Sequence, residues 1–288
     1  MSDQEFLDLL RHKMEGMPKK ARRVVEYILA NSREAAFLSI GEVAEKLDVS
    51  KAQLVRVARM LGFDGYAALK DTLKETVLQQ VNPSAMLSKI MKDHKNLPEE
   101  IYRLEHANID DTWNQIQADN AAVFCTMLQK AKTIFCVGWG ISALVAESLY
   151  TRLLELGLKG VLLKRGSLAL IEQARAIEKG DLVIVCELPS YVIEVTNSIK
   201  LAAERGANII TITDSPAAPI CKFADLSFFV SDMSPTFGSS LIGPLFLIHI
   251  LSSILAVNMG EEAKKALEKQ AQGLHDEKVY HPTYDLRY

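Results

Sequence analysis

One short stretch of this chain carries basic and amide side chains at the spacing of a helix face. The outward residues of the predicted helix are Lys51, Gln53, Arg56 and Arg59. No acidic residue interrupts the stretch between Ser50 and Gly62. Guanidinium and amide groups pair with base edges in the DNA major groove, and cations pair with phosphates. We therefore expect this face to bind double-stranded DNA.

Two capped helices are predicted to position that face. Ser39 is expected to cap the first helix, with Glu42 completing a capping box, and Ser50 to cap the second. Both serines are included among the expected DNA contacts. The turn is expected at Leu47–Val49. The residues expected to point inward are Val43, Ala44 and Leu47 in the first helix and Leu54, Val55, Ala58 and Leu61 in the second. An ordinary helical hairpin with a solvated basic face is the alternative.

The charge distribution supports local contact with phosphates. The whole chain has a net charge of -3, which excludes a generally polycationic nucleic-acid binder. Residues 11–60 carry eleven basic and six acidic side chains, a local net of +5, whereas residues 79–288 carry 20 basic and 24 acidic ones, a net of -4. The positive charge therefore lies where the helix pair lies.

The rest of the composition indicates a soluble chain of about two domains. The four cysteines have neither CxxC nor Cys/His zinc spacing, so we expect no metal and no cofactor. The acidic start MSDQEFLDLL does not resemble a secretory signal, and we expect a cytoplasmic location. Residues 239–259 lack charged side chains. Because this stretch contains Gly243 and Pro244, we expect a helix buried between the sheet and a partner subunit, with no membrane partner.

Beyond Thr133 the pattern becomes that of an α/β domain. Short runs rich in β-branched or aromatic residues occupy 133–138, 160–165, 181–188, 208–214 and 226–231. Helical stretches lie at 141–157, 167–177 and 192–206. Apolar strands that alternate with helices predict a parallel sheet covered on both faces, flavodoxin-like or Rossmann-like in three layers. The ligand crevice of such a sheet lies at the carboxyl ends of its strands.

We expect four segments in chain order. An all-α helix-turn-helix domain occupies 1–80, and a helical connector that packs on the second domain occupies 81–131. The α/β domain spans 132–260 and binds the effector, and a helix and tail follow at 261–288. In the connector an apolar face is predicted from Ile101, Leu104, Ile109 and Trp113.

Both domains resemble the RpiR family of bacterial transcriptional regulators, a helix-turn-helix followed by a sugar isomerase (SIS) domain. The first domain resembles it through EVAEKLDVSKAQLVRVARMLGFDGYAALK. The second resembles it through CVGWGISALVAESL, GDLVIVCELPSYVIEVTNSIKLAAERGANIITITD and SPAAPICKFADLSFFV. Asp48 stands where a glycine is usual in the turn, and Asp tolerates the left-handed conformation at modest cost. The resemblance implies a regulator of carbohydrate or related metabolism.

The resemblance also implies an effector site with one departure. The turn Gly138-Trp139-Gly140-Ile141-Ser142 is similar to the glycine-rich turn that receives a phosphate at a helix N-terminus, which implies free amides that point outward and a Ser142 hydroxyl offered to the ligand. The family's Ser-x-Ser-Gly-x-Thr loop is replaced by Glu187-Leu188-Pro189-Ser190-Tyr191-Val192. The replacement removes three hydroxyls and one amide and adds a carboxylate, which opposes a phosphate dianion.

Several interpretations of this site remain open from the sequence. Glu187 could bind a cationic or hydroxyl-rich ligand, with Tyr191 and Trp139 stacking on it, or the site could have lost its ligand. Lys164 and Arg165 could restore an anion site or pair with Glu187. Ser239 could reach the crevice or cap the last helix.

An enzyme is the competing class. A sugar-phosphate isomerase needs an acid/base pair, for which Glu187 is a candidate and His249 a distant one, although a histidine on an apolar helix is more often a core residue. Gly138, Gly140 and Ala143 also match a dinucleotide fingerprint, with Arg165 placed for a 2′-phosphate. We expect no catalytic residues. Because operators are usually two-fold, we expect a homodimer or homotetramer that binds an operator and a small-molecule effector.

Overall fold

The structure, a computed structural model, describes residues 3–14, 16–80, 82–91, 96–279 and 281. The chain forms two compact units. The first comprises residues 1–102, 215–218 and 234–238, and the second comprises 103–214, 219–233 and 239–288.

The first unit is built from helices. These are α1 (Asp3–Met14), α2 (Lys19–Ala30), α3 (Ser32–Phe37), α4 (Ile40–Lys46), α5 (Lys51–Met60), α6 (Tyr66–Gln80) and α7 (Pro83–Ile90). The helix pair α4 and α5 and the all-α character of this unit confirm the prediction. The core of the unit includes Phe6, Ile28, Leu54, Leu61 and Leu69, all fully buried.

The second unit contains a five-stranded parallel sheet. Its strands are β1 (Ile134–Gly138), β2 (Gly160–Leu163), β3 (Leu182–Glu187), β4 (Asn208–Thr213) and β5 (Leu226–Phe229), in the order β2-β1-β3-β4-β5. All five predicted strands are present. Because Gly138 lies beside Cys186, and Glu187 beside Thr213, the segments that follow β1, β3 and β4 leave the sheet at one edge.

Helices cover both faces of this sheet. They are α9 (Ala118–Lys130), α10 (Ser142–Glu155), α11 (Leu170–Ala174), α12 (Ile193–Glu204), α13 (Ile242–Met259) and α14 (Glu261–Asp276), preceded by α8 (Leu97–Gln115). One face packs with α9, α10 and α13, where Phe124 and Phe228 make an edge-on contact with ring centroids 5.9 Å apart. α11 and α12 contact the strands from the other side. The predicted three-layer α/β class is confirmed.

The prediction that α8 buries an apolar face is wrong. Ile101, Leu104 and Ile109 are only half-buried, and Trp113 is 59% exposed. The buried positions are the polar residues Asn108 and Thr112. Their hydrogen bonds to the segment after β5 explain why a polar face is turned inward.

Two polar side chains of α8 fasten the segment that follows β5. The Asn108 amide Nδ2 donates to Glu105 Oε2 at 2.9 Å and to the Met233 carbonyl at 2.7 Å. Asn108 Oδ1 accepts from Ser231 Oγ at 2.8 Å and from Met233 N–H at 2.9 Å. Thr112 Oγ1 accepts from Ser231 N–H at 3.0 Å. Both donors and both lone pairs of the Asn108 amide are therefore used.

α13 is buried on one face only. Leu247, Leu251 and Leu255 are fully buried, whereas Val257 is 83% exposed. The helix is long and apolar enough to cross a membrane by length and composition, but its inner face belongs to the core of the sheet domain. His249, expected in the core, is exposed because it lies on the outer face.

Candidate DNA interface and effector site

Both predicted helix caps are present around the turn of the helix pair. Ser39 Oγ accepts from Glu42 N–H at 3.2 Å, and Glu42 Oε2 accepts from Ser39 N–H at 2.6 Å. Ser50 Oγ accepts from Gln53 N–H at 3.1 Å. Asp48 adopts the left-handed conformation, with φ 51°. The turn therefore keeps its geometry without glycine, and the two serine hydroxyls serve first as caps.

The inward face of α5 differs from the prediction at two positions. Leu54 and Ala58 are fully buried and Leu61 is buried just after the helix, as expected. Val57, which was not expected inside, is 1% exposed, and Val55 is only half-buried. Val57 lies three positions from Leu54 and four from Leu61, so it shares their face of the helix.

The outward face of α5 presents the expected basic residues. Lys51, Arg56 and Arg59 are exposed and Gln53 is half-buried. Arg59 Nε donates a long hydrogen bond of 3.5 Å to the Asp64 carbonyl. Among the described residues, no ion pair neutralises these three cations. The face can therefore offer full positive charges to phosphates and base edges.

A buried carboxylate that sequence reasoning missed holds α4 in place. Glu34 accepts from Tyr27 Oη at 2.8 Å and pairs with Lys46 at the end of α4. Lys46 Nζ also lies 5.7 Å from the centre of the Tyr27 ring. Burial, together with the Glu34 contact, raises the pKa of Tyr27. These side chains thereby fasten α4, the first helix of the pair, to α2 and α3.

The edge between β1 and β3 is where the strand order of the second unit reverses. In a sheet of order 2-1-3-4-5, ligands bind beyond the carboxyl ends of the two strands that flank this switch point. The turns from Gly138 to Ser142 and from Glu187 to Val192 both begin there. The tertiary structure thus brings the two predicted effector segments together.

The glycine turn after β1 is tightly packed rather than open. A Cβ on Gly138 would lie 2.5 Å from the Ser142 carbonyl oxygen, so glycine is needed for packing against α10. The prediction of free amides in this turn is partly wrong. The N–H groups of Ser142, Ala143 and Leu144 donate to the carbonyls of residues 139–141. Among the described residues, the N–H groups of Gly140 and Ile141 have no acceptor.

The Ser142 hydroxyl is not available in the way we predicted. Ser142 is buried, and its Oγ accepts from the Leu188 N–H at 3.0 Å. This contact joins the turn after β1 to the turn after β3. The hydroxyl therefore joins the two turns, and one of its acceptor positions is already occupied by the Leu188 N–H.

The Glu187 carboxyl is buried at the end of β3. It is 4% exposed, and its Oε1 accepts from the Val192 N–H at 2.8 Å. Its Oε2 is buried and has no hydrogen-bond partner within the described part of the chain. Burial raises the pKa of Glu187 to about 7; the Val192 hydrogen bond opposes this shift and the charge of Asp214 adds to it. The loop after β3 therefore folds over the carboxyl and covers it.

The two cations expected to help at this edge have other partners. Lys164 Nζ lies 2.6 Å from Glu147 Oε1, and Arg165 Nε lies 3.6 Å from Glu194 Oε2. Neither pairs with Glu187, so that alternative is wrong. Glu194 also accepts from the Leu170 N–H at 2.9 Å. The edge therefore contains acidic groups whose neighbouring cations are already neutralised.

Two further predicted residues, Trp139 and Tyr191, lie on the turns after β1 and β3 at this edge. Trp139 is 40% exposed, and the half-buried Tyr191 donates from Oη to Asp214 Oδ1 at 2.8 Å. Ser239 is half-buried beyond β5. The helix-start contact belongs to its neighbour Ser240, whose Oγ accepts from Ile242 N–H at 3.1 Å and donates to Glu105 at 2.6 Å. Asp214 and Glu194 were not predicted as site residues. Asp214 directly follows β4, and Glu194 lies in the first turn of α12.

Ser190 adopts a backbone conformation that L-residues rarely occupy. Its φ is 95°, at the position where the resembled loop has glycine. The conformation strains a residue with a Cβ, by about 1 kcal/mol or more. The loop thus keeps a glycine-like backbone although its side chains have changed.

We expect Ser190→Gly to raise the free energy of unfolding of the second unit by about 1 kcal/mol, because it relieves this strain. Ser167→Gly, at an exposed position without positive φ, is the control and is expected to lower it by about 0.5–1 kcal/mol. Urea unfolding followed by tryptophan fluorescence measures both. A loss of stability in Ser190→Gly would contradict the conclusion that the backbone is strained at Ser190.

Comparisons with known proteins agree with both halves of this description. Residues 4–80 match the helix-turn-helix domain of the rpiR family, and residues 127–253 match the SIS domain. The regulator RpiR of Escherichia coli K12 is 27% identical over 218 residues, 75% of this chain and 73% of that protein. An uncharacterised HTH-type transcriptional regulator of Haemophilus influenzae is 24% identical over 271 residues, 89% of this chain and 91% of the relative.

Two solved structures share the fold. Vibrio vulnificus NanR, complexed with ManNAc-6P, superposes with a TM-score of 0.61 at 24% identity, covering 94% of this chain and 98% of NanR. The sugar isomerase domain of an RpiR transcription factor from Sphaerobacter thermophilus has a TM-score of 0.59 at 25% identity, covering 62% of this chain and 99% of that domain.

A capped helix pair with an unneutralised basic face, joined in one chain to a SIS-type sheet, defines a ligand-controlled transcriptional regulator. The chain belongs to the RpiR family of helix-turn-helix regulators. It is a DNA-binding transcriptional regulator of carbohydrate or related metabolism, controlled through a SIS domain whose phosphosugar loop is degenerate.

Proposed function

We propose that this protein binds its operator through α5 and that a small carbohydrate derivative bound at the β1–β3 edge controls that binding. The basic face of α5 is the observation that supports the first half. Lys51, Arg56 and Arg59 are exposed and carry no ion pair among the described residues. The half-buried Gln53 lies beside them on the first turn, where a recognition helix reads bases.

The β1–β3 edge is the proposed effector site. It is the switch point of the sheet, and exposed backbone at Trp139–Ile141 and Ser190 gives access from solvent. The NanR structure contains a sugar phosphate, which is a property of NanR. We carry over to this chain only the proposal that its effector belongs to the wider class of carbohydrate derivatives.

We assign the second unit a sensing role and not a catalytic one. Proton transfer requires a base within reach of the substrate. Glu187 Oε1 is instead engaged with the loop backbone at 2.8 Å, and His249 lies on the outer face of α13. A cytoplasmic location accompanies this role, since the operator is there.

Assembly is expected through apolar surface of the second unit. The outer face of α13 exposes Ile242, Ile254 and Val257. An uncharged helix face of this kind is stabilised by a second copy, and a two-fold pair of recognition helices matches a palindromic operator. A homodimer or homotetramer is therefore proposed.

Arg56→Ala and Gln53→Ala are each expected to weaken binding to the operator by about 1–3 kcal/mol, because each removes a side chain placed to read a base. Lys51→Ala is expected to weaken binding evenly across sequences and to reduce the salt slope by about one. The measurement is a gel-shift titration at two salt concentrations, on an operator selected from random double-stranded DNA.

Lys264→Ala is the matched control, because it removes an equal charge from an exposed position on α14. It should leave operator affinity within about twofold of the parent. Parent-like binding by all three α5 variants would contradict the assignment of this helix to DNA.

A further inference from the structure

We propose that Glu187 serves as the protein's own anion at the effector site, so that the site takes its ligand through uncharged hydroxyl groups and excludes a phosphate. The inference rests on the proposed function in one respect, that the β1–β3 edge is the effector site. It adds the chemical class of the ligand and the residue that selects it.

The N-termini of two helices converge on this edge and would normally suit an anion. α10 has 14 residues and α12 has 12, and unbonded N–H groups at a helix start attract negative charge. The N–H groups of Ile193 and Glu194 in the first turn of α12 have no acceptor among the described residues. Val192, the N-cap of α12, is the residue whose N–H is already taken.

The group that takes the Val192 N–H is the buried carboxyl of Glu187. The hydrogen bond is 2.8 Å long, and Glu187 is five residues away on the preceding strand. Because Oε1 accepts this bond whether the carboxyl is ionised or protonated, the position stays filled across the neutral range. The Leu188 N–H is likewise taken, by Ser142 Oγ at 3.0 Å. The N–H groups of Leu188 and Val192 are therefore both bound to side chains of the protein itself.

The surrounding charges also oppose a phosphate. Asp214 and Glu194 lie at this edge with Glu187, and the adjacent cations Arg165 and Lys164 are held by Glu194 and by Glu147. A dianion would thus meet these carboxylates, while the two described cations Lys164 and Arg165 already have acidic partners, which is unfavourable in a partly dry site.

A hydroxyl group matches what remains. Glu187 Oε2 is buried without a partner, and a hydroxyl can donate to it when it is ionised or accept from it when it is protonated. The Tyr191 hydroxyl and the Asp214 carboxyl form a second polar pair at the same edge. An unphosphorylated sugar or polyol supplies several such hydroxyls, whereas the dianionic phosphoryl group of a sugar phosphate supplies acceptors only.

Inorganic phosphate is the probe that tests occupancy, because its binding does not depend on which sugar is recognised. Isothermal titration at about pH 8, where a carboxyl of this kind is mostly ionised, compares the full-length parent with Glu187→Ser and Glu187→Ala. We expect negligible binding by the parent and a gain of about tenfold or more in both variants, since each frees the Val192 N–H and removes the carboxylate.

Glu187→Gln is the matched control. Its amide oxygen can still accept from Val192 and keeps that N–H occupied while the carboxylate charge is removed, so phosphate affinity should rise less than in Glu187→Ser. Phosphate binding by the parent as tight as by Glu187→Ser would overturn the inference. A failure of both small variants to gain, or an equal gain in Glu187→Gln, would overturn it as well. Thermal unfolding and operator binding of each variant establish that it is folded.

The same set of proteins separates this inference from the proposed function. The parent should change its operator affinity with an unphosphorylated sugar, for example N-acetylmannosamine, more than with its 6-phosphate, and Glu187→Ser should reverse that order. A parent that responds to the phosphorylated sugar keeps the proposed function and overturns the inference. If the parent binds no operator, or if the α5 variants bind it like the parent, the proposed function is overturned. The phosphate titration still decides the role of Glu187 in that case.

Discussion

Replacing Asn108 with alanine is expected to lower the free energy of unfolding of the second unit by about 3–5 kcal/mol. The amide of this fully buried side chain makes four hydrogen bonds of 2.7–2.9 Å, to Glu105, Ser231 and Met233. Alanine leaves the Met233 N–H and carbonyl and the Ser231 hydroxyl without these partners, and each of these polar groups that water does not reach then costs about 1–3 kcal/mol.

Urea unfolding followed by tryptophan fluorescence measures this loss, because Trp113 and Trp139 are the two tryptophans of the chain and both lie in the second unit. Asn114→Ala is the control, at an exposed position of the same helix, and is expected to change stability by no more than about 0.5 kcal/mol. Equal losses in the two variants would show that the buried network does not stabilise this unit.

Gly243→Ala is expected to destabilise the same unit by about 3 kcal/mol, because the new methyl group has no space. A Cβ at this position would lie 2.2 Å from the Ser231 carbonyl oxygen and 2.7 Å from Thr112 Oγ1. Ser231 and Thr112 are joined by a hydrogen bond of 3.0 Å, so neither can withdraw without breaking a contact between α8 and the segment after β5.

Gly273→Ala provides a control with the opposite sign. Gly273 lies in α14, and nothing lies within 4 Å of an added Cβ. Alanine has the higher helix propensity, so the variant should gain about 0.5–1 kcal/mol. The same fluorescence measurement compares both glycine variants, and a Gly243→Ala protein as stable as the parent would contradict the close packing of the start of α13.

The local elements of this protein could be predicted from its sequence because each rests on contacts within a few residues. The caps at Ser39 and Ser50 bond to amides three residues away, and the left-handed turn depends on Asp48 itself. The five strands were predictable because buried parallel strands are continuously apolar. The parallel direction follows from strands that alternate with helices, whereas the strand order and the switch point are properties of the tertiary structure.

The chemistry of the effector edge was decided only by the tertiary structure. The sequence placed Glu187 in the loop, but its buried state and the covering of its carboxyl depend on how the loop folds back to Val192. Ser142 meets Leu188 across 46 residues, and Asn108 meets Met233 across 125. A pattern of neighbouring residue types predicts helices and strands, because these depend on local periodicity. Which buried polar group finds which partner depends on the packing of distant segments, and that packing leaves no local periodicity in the sequence.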